Sequence, residues 1–303
     1  TDMAKFYPIV DELVEDMAAY EIPTDSSAIA ASRIVLGIQR STSSGEALRI
    51  YNEFKQPLDE EGYAVVLNAF AKKEHGEFYI PYLPDYFDIV KDMTKAGLPV
   101  TTKVYTILLT QIGNLATRLQ RGEILNEDFK DDLITATRQT HDQLSLDASI
   151  SPDTPVLSQL INTYQRLGCF GDAYRVWELM YLIGNFNHTT VTNILDGCGF
   201  ANDVYTANAI WRKLTRDGFK FNLNNWNTWV ECLCRCGQFD MARKVVMQDM
   251  GAAGVQPTLD TLQVLLSFAR KRGGETEGEL LAQIEEVFPS LYSELNVSSS
   301  PNS

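Results

Sequence analysis

An internal repeat is the feature that most restricts how this chain can fold. Trp177, Trp211 and Val246 stand 34 and 35 residues apart, and each has an alanine four residues before it. A Met or Leu follows each of them three or four residues later. Residues at these spacings share one stripe of an α-helix, so the pattern predicts three similar helices at regular intervals.

Glycines after these segments predict where the helices end. Gly184, Gly218 and Gly254 each stand four residues beyond the last apolar residue of the stripe, and glycine adopts the left-handed cap conformation at little cost. Helices of this length are not stable alone, which indicates a stacked array of hairpins. The predicted second helices span 172–183, 203–217 and 239–253, and the predicted first helices span 157–167, 191–199, 226–236 and 259–272.

The same pattern continues into the N-terminal half with longer linkers, and it predicts an all-α solenoid of about seven helix–turn–helix units. The less regular pairs span 28–40 with 45–54, 63–73 with 84–96, and 102–113 with 127–143, after an isolated second helix over 6–20. We expect degenerate repeats over 1–152, well-spaced repeats over 153–272, and an acidic capping helix with a disordered tail over 273–303.

Charge is distributed unevenly along the chain, whose net charge is −14. Residues 1–155 carry 25 acidic and 14 basic side chains, residues 156–272 carry 9 acidic and 12 basic ones, and residues 273–303 carry 6 acidic and no basic ones. Nucleic-acid binders are usually basic, so only the middle stretch has a favourable balance for phosphates. The acidic N-terminal half is better suited to a protein partner.

Several functional classes are disfavoured by what the chain lacks. No apolar run approaches the roughly 20 residues that span a bilayer, and no phosphate-binding loop or nucleophile motif is present. Cys232, Cys234 and Cys236 alternate on a predicted helix, so packing explains them better than a metal site does. We therefore expect no enzymatic activity, no cofactor, no metal, no small-molecule substrate and no membrane span.

Details within the repeat resemble the pentatricopeptide-repeat family. Residues 225–230, NWNTWV, are similar to the family's tyrosine–asparagine–threonine–leucine–isoleucine opening. Residues 254–258, GVQPT, are similar to its glycine-x-x-proline-aspartate closing, with Thr in place of Asp. The tetratricopeptide repeat is the nearest alternative, but it lacks the polar residue before the paired apolar positions.

The resemblance implies a right-handed solenoid with the first helices on its concave face. It also implies that one early polar residue and one closing residue in each unit contact a single base of single-stranded RNA. The pairs Asn193/Asn222 and Asn227/Thr258 resemble family combinations that favour pyrimidines. Under this resemblance the base-reading residues are Ser158, Asn193, Asn222, Asn227, Thr258, Gln263, Thr106 and His188.

A row of cations is predicted from the spacing itself. Eight residues is slightly more than two helical turns, so residues at this distance share one face about 12 Å apart. A row of cations on stacked helices suits a phosphate backbone, although basic residues near helix C-termini also complement the helix dipole. Ala201 and Asn114 interrupt the row. Five first helices carry a basic residue eight positions after the early residue, namely Arg40, Lys72, Arg166, Arg235 and Lys271.

Two functional hypotheses follow. The first is single-stranded RNA binding in organellar RNA processing, stability, splicing or translation, in the mitochondrial matrix by family resemblance. The alternative is a protein-binding scaffold, a subunit or assembly factor of a mitochondrial complex, that has lost contact with RNA. The opening residues show no basic and apolar leader, so we expect any targeting segment to lie outside these 303 residues.

Overall fold

A computed structural model of the chain describes residues 25–55, 58–74, 80–124 and 128–298, with a few positions before residue 25. The predicted helix over 6–20 and the end of the predicted tail lie mostly outside the described residues. The chain divides into two compact units, Thr1–Gln159 and Leu160–Ser303, which we call unit 1 and unit 2. All regular elements of the described ranges are helices, and none of these helices is long and apolar enough to cross a membrane.

The helices of unit 1 form hairpins, and the first helices of neighbouring hairpins pack against each other, α1 on α3 and α3 on α5. The helices are α1 Ser26–Arg40, α2 Ser44–Phe54, α3 Glu60–Lys72, α4 Leu83–Lys95, α5 Lys103–Gln120 and α6 Phe129–Leu146. Helix α7 Thr154–Arg166 begins in unit 1 and ends in unit 2.

The helices of unit 2 repeat the arrangement, with α9 packed on α11 and α11 on α13. The described residues thus form the all-helical hairpin solenoid that the repeat predicted. After α13, two helices follow instead of the single capping helix expected, because α14 ends before Phe288 and Pro289 begins α15. The helices are α8 Phe170–Leu182, α9 His188–Ala201, α10 Val204–Arg216, α11 Leu223–Arg235, α13 Leu259–Arg272, α14 Gly274–Val287 and α15 Pro289–Ser298, and α12 comprises Phe239–Lys244, a π-helical turn Val245–Asp249, and Met250–Ala252.

The glycines that follow the second helices end them as predicted. Gly184, Gly218 and Gly254 have φ values of 69°, 79° and 76°. In each case the next residue's N–H donates to a carbonyl one turn back, as from Asn185 to Met180 at 2.9 Å. These bonds satisfy carbonyl groups that the helix end would otherwise leave open, so the chain turns at a fixed point in each repeat.

The π-helical turn in α12 explains an irregularity in the repeat. Met250 follows Val246 by four residues, whereas the equivalent Leu214 follows Trp211 by three. A π turn accommodates one extra residue within a helix. Because of the turn Val245–Asp249, both Val246 and Met250 remain buried despite the insertion.

Helix α5 is longer than predicted. The sequence suggested an end at Gly113, but α5 continues to Gln120 and ends before Gly122, whose φ is 72°. Gly113 is buried within the helix, and Leu115 and Ala116 extend the apolar stripe beyond it. A glycine inside an apolar stripe therefore serves packing here, and the predicted long linker is mostly helix.

Aromatic side chains form much of the core of unit 2. Trp177 is buried, as its place on the apolar stripe predicted, and Trp211, on the same stripe, is half-buried. Trp226 and Trp229 are also buried. The Trp211 ring lies between parallel rings of Phe221 and Trp229, with centroid distances of 3.8 and 4.8 Å. The three alternating cysteines are also buried, and no three His, Cys, Asp or Glu residues among the described ones could hold a metal ion.

Candidate nucleic-acid interface

The first helices of unit 2 begin with the same capping arrangement. In α9 the Asn187 side chain accepts the Thr190 N–H at 3.1 Å, and in α11 the Asn222 side chain accepts the Asn225 N–H at 2.9 Å. In α13 the Thr258 N–H donates to the Thr261 hydroxyl at 3.1 Å. Capping boxes of this kind satisfy backbone groups at the helix start, and they identify equivalent positions in the three repeats without reference to sequence spacing.

This register corrects the prediction for α9 by one residue. Five residues after the caps stand Thr192, Asn227 and Gln263, so Thr192, and not Asn193, occupies the position of Asn227. Likewise Asn187, and not His188, is the equivalent of Asn222. The sequence could not separate neighbouring polar residues by spacing alone, because the choice depends on which side chain can accept the Thr190 N–H. The predicted pair Asn193/Asn222 therefore does not belong to one repeat register.

Side chains at the fifth position contact the residue that stands three positions after the cap of the next repeat. The Asn225 amide donates to the Thr192 hydroxyl at 2.9 Å and to the His188 carbonyl at 2.8 Å. One repeat later, the Thr261 hydroxyl donates to Asn227 Oδ1 at 2.7 Å. Neighbouring first helices are thus joined through a recurring polar contact. Thr261 occupies one of the two acceptor sites of Asn227 Oδ1, and the amide NH2 of Asn227 can donate hydrogen bonds to a ligand.

The exposure of the predicted base-reading residues differs between the units. In unit 2, Gln263, Asn222 and His188 are exposed, and Asn193, Asn227 and Thr258 are half-buried. Ser158, which the division assigns to unit 1, is buried at 6% exposure. Thr106 is half-buried and donates to the carbonyl of Thr102 at 3.0 Å within its own helix.

The predicted cations also follow the capping register, with one exception. Arg235 and Lys271 lie thirteen residues after their caps, and Lys72 stands at the same distance from Asp59 in unit 1. Arg40 is fifteen residues from its cap Asp25, so it does not share the register. Arg166 lies thirteen residues after Asp153, whose carboxylate accepts the Val156 N–H at 3.0 Å.

In α9 the thirteenth position is occupied by Phe200 rather than Ala201. Phe200 is 55% exposed, and the Arg235 guanidinium carbon lies 4.0 Å from the centroid of its ring. Phe200 was not predicted because the interval of eight residues was measured from Asn193, which leads to Ala201. The capping pair Asn187 and Thr190 was the available signal, since a side-chain acceptor three residues before a hydroxyl is typical of a helix start.

Carboxylates and amides stand beside the cations, at the ninth position after the caps. Arg166 Nε donates to Asn162 at 3.0 Å, and Arg235 Nε donates to Glu231 at 3.2 Å. Asp196, in α9, accepts from the Gln165 amide at 3.0 Å. Burial raises the pKa of the Asp196 carboxyl, although Gln165, Arg235 and Arg166 oppose that effect. The stripe is therefore mixed in charge rather than uniformly basic.

The positions of the cations are compatible both with binding to phosphates and with a favourable interaction with the helix dipole. Arg166, Arg235 and Lys271 lie in the last turns of their helices, where cations complement the helix dipole. They also share a register with the polar fifth residues of the same helices. We call one set of residues in unit 2 the first-helix stripe. It consists of the fifth, ninth and thirteenth residues after the caps of α7, α9, α11 and α13, without Ser158, which belongs to unit 1.

Comparison with known proteins agrees with the repeat geometry. Residues 209–272 match the family model of the pentatricopeptide repeat domain. The crystal structure of the pentatricopeptide repeat protein PPR10 in complex with an 18-nt psaJ RNA element is similar with a TM-score of 0.60 and 14% identity. The match covers 91% of this chain and 37% of that chain, and a cysteine-to-serine variant of PPR10 with the same RNA element gives the same values.

These findings define a helical-repeat protein whose fold is that of PPR10. The family match over residues 209–272 confirms the resemblance seen in the motifs of that segment, and the similarity to PPR10 shows the same fold over most of the chain. It spans 37% of the length of the PPR10 chain. No curated protein matches the sequence.

Proposed function

We propose that unit 2 binds single-stranded RNA along the first-helix stripe. The observation that carries this proposal is the common register of three successive first helices. Each presents a neutral polar cap, a polar fifth residue and, at the thirteenth position, a cation or an aromatic ring. The family match covers two of these helices, and the RNA-bound crystal structure of PPR10 has the same fold.

The chemistry of the stripe suits bases and phosphates at different heights of the helices. Near the helix starts, Asn222 and Thr192, then Thr258 and Asn227, offer amides and hydroxyls that hydrogen-bond to base edges. About two turns further on, Arg235 and Lys271 offer charge to phosphates. The pair Asn227/Thr258 keeps its predicted register, and we retain a pyrimidine preference for that repeat only.

The cellular process is proposed from the family resemblance alone. We propose a role in organellar RNA processing, stability, splicing or translation, with the mitochondrial matrix as the compartment. Crosslinking the protein to RNA in intact cells, followed by sequencing of the bound RNA, tests this directly. Recovery of nuclear-encoded transcripts without organellar ones would contradict the proposed compartment.

A charge-reversal variant tests RNA binding by the stripe. We expect Arg166→Glu, Arg235→Glu and Lys271→Glu together to weaken binding of oligo-uridylate and oligo-cytidylate by more than about 100-fold, and to reduce the salt slope of the affinity by about 2. The matched control changes Arg175, Arg212 and Lys244 to Glu, and these three residues are exposed on second helices. Since the control changes the net charge equally, equal losses in both variants would show binding by overall charge and exclude the stripe.

The second candidate function is a protein-binding scaffold, and the charge of the N-terminal half favours it. Residues 1–155 carry 25 acidic and 14 basic side chains. If the native chain binds no homopolymeric RNA at low salt, the scaffold is the better description. In that case a basic partner would be expected to bind unit 1, with an affinity that falls as salt rises.

A further inference from the structure

Phe200 occupies a position where the neighbouring repeats place a cation. It stands thirteen residues after the Asn187 cap, as Arg235 stands after Asn222 and Lys271 after Thr258. A phenyl ring has no hydrogen-bond donor and no charge, so this repeat cannot bind a phosphate in the way its neighbours can. With 55% of its surface exposed, Phe200 is accessible to a ligand.

The neighbouring helix fixes an arginine over the ring. Helices α9 and α11 approach closely at Gly199, where an added Cβ would lie 3.1 Å from Arg235 Cδ and 3.2 Å from Cys232 Cα. This approach brings the guanidinium carbon of Arg235 to 4.0 Å from the Phe200 centroid. The same guanidinium forms an ion pair with Glu231. Arg235 is thereby held between a carboxylate and an aromatic face, and the ring has a defined orientation.

An exposed ring among cations is a typical feature of surfaces that bind single-stranded nucleic acids. In such surfaces the cations follow the backbone, and the aromatic rings stack with bases of any sequence. Here Arg166 and Arg235 stand at equivalent positions on the adjacent first helices, and Lys271 stands one repeat further. An apolar protein segment would not require the cations, whereas an unstacked base with its phosphate uses both.

We propose that Phe200 is a stacking residue, whose ring packs against one nucleobase of the bound single strand. This inference rests on the proposed RNA binding of unit 2 and adds a specific contact to it. The α9 repeat would contribute base stacking at the height where α11 and α13 contribute charge, so the stacked base is a different one from those that the fifth residues hydrogen-bond. The contact is tolerant of sequence, because every base has a π face, so it adds affinity without adding base preference.

Substitution of Phe200 separates stacking from charge. We expect Phe200→Ala to weaken binding of oligo-uridylate and oligo-adenylate by about 5- to 150-fold, with no change in the salt slope. Phe200→Trp should preserve the affinity, and Phe200→Lys should raise the salt slope by about 0.7 while losing the stacking contribution. The matched control is Tyr205→Ala, since Tyr205 is 84% exposed on the second helix α10 and should leave affinity unchanged.

Loss of the ring could also act by releasing Arg235, and the salt slope distinguishes this possibility. If Phe200 only positions Arg235 for a phosphate, Phe200→Ala should reduce the salt slope as much as Arg235→Gln does. Thermal melts of all variants establish that they are folded. A reduced slope in Phe200→Ala would overturn the stacking proposal.

RNAs with a single abasic site provide the decisive experiment. A series of oligo-uridylates, each lacking one base, is titrated against the native chain and Phe200→Ala. We expect one abasic position at which the native chain loses affinity and the variant loses nothing further, because the two changes remove the same contact. If every abasic position weakens both proteins equally, Phe200 does not stack with a base. If the native chain binds no RNA, the proposed function itself fails. This outcome differs from RNA binding without a stacking contact, so the experiment separates the two proposals.

Discussion

The two units share one helical pattern but use their polar residues differently. In unit 1 the polar groups at the helix starts and seams are mainly carboxylates that hold the helices together. Asp59 accepts the Ser27 hydroxyl at 2.6 Å, and Asp92 pairs with Lys55 at 2.6 Å. In unit 2 the contacts at the starts of the first helices are built from neutral amides and hydroxyls, as between Asn225 and Thr192, and the carboxylate of Asp196 contacts Gln165 further along the helices.

This difference has a consequence for binding. Neutral caps hold neighbouring repeats together without adding negative charge near a phosphate backbone, which carboxylate seams cannot do. The repeat pattern therefore specifies the hairpins in both units, while the chemistry of the seams makes unit 2 the better candidate for an anionic ligand under the proposed function. Three predictions test that contrast, beginning with the largest expected effect.

Removal of the Asn225 amide should destabilise unit 2 and leave unit 1 unchanged. Asn225 is fully buried and contacts His188, Thr192 and the cap of its own helix. We expect Asn225→Ala to lower the free energy of unfolding by about 2–4 kcal/mol, because several buried polar groups lose their partner. Hydrogen exchange measured unit by unit provides the test.

The adjacent Asn224→Ala is the matched control for this variant. Asn224 is exposed and donates one bond, to Thr192 at 3.1 Å, so its loss should cost less than about 1 kcal/mol. Equal destabilisation by both substitutions would show that the buried seam has no special role.

Replacement of Gly199 tests the close approach of α9 and α11. A methyl group there meets Arg235 and the Cys232 backbone, so Gly199→Ala should destabilise unit 2 by about 1–3 kcal/mol. Gly171→Ala is the control, since Gly171 lies in helix α8 with nothing within 4 Å of an added Cβ. That change should stabilise the protein slightly, through the better helix propensity of alanine. Chemical denaturation of both variants distinguishes the two outcomes.

The stability of the two units should change in opposite directions as the pH falls. Burial raises the pKa of Asp92, but hydrogen bonds from Lys55 and Lys95 outweigh it, so the net pKa lies below the ordinary value of 3.8. The Ser27 hydroxyl and the Gly62 N–H also lower the pKa of Asp59. Folding therefore favours these carboxylates in their charged form. Their contribution to stability is present above about pH 4 and is lost as the pH falls through their lowered pKa values.

In unit 2, Asp196 should respond in the opposite direction. Burial raises its pKa above 3.8, so the folded state binds the proton more tightly than the unfolded state does. As the pH falls towards that raised pKa, unit 2 should gain a little stability while unit 1 has not yet lost any. Exchange rates of each unit, followed as the pH falls from about 7 to below 3.8, the ordinary pKa of an aspartate, provide the measurement. Asp196→Asn should abolish the gain in unit 2, and an unchanged profile would contradict the assignment.

The sequence predicted the hairpins well because their determinants are local. Apolar spacing and the glycines Gly184, Gly218 and Gly254 act within one helix and its end, so a pattern of single residues suffices to place them. The end of α5 was missed because Gly113 looks like a helix stop but fills a packed position inside the helix.

The candidate site was harder to predict because its register depends on hydrogen bonds. Asn187 and His188 are both polar, and only the bond from the Thr190 N–H shows which one caps α9. Because of this ambiguity of one residue, Asn193 was predicted at the fifth position instead of Thr192, and Phe200 was not recognised at the thirteenth position. The contact between Phe200 and Arg235 joins residues of two repeats, and spacing within one chain segment does not reveal it.

The π turn in α12 shows how such an array tolerates length variation. The caps Asn222 and Thr258 are 36 residues apart, one more than the preceding interval, and Val245–Asp249 absorbs the extra residue on the second helix. The start of α13 keeps its capping contact and its bond to Asn227 all the same. The polar contact between successive first helices therefore does not depend on how many residues the second helix between them contains. An extra residue in a second helix can thus be accommodated by a π turn, whereas one between a first-helix cap and its fifth residue would break the shared register of the first-helix stripe.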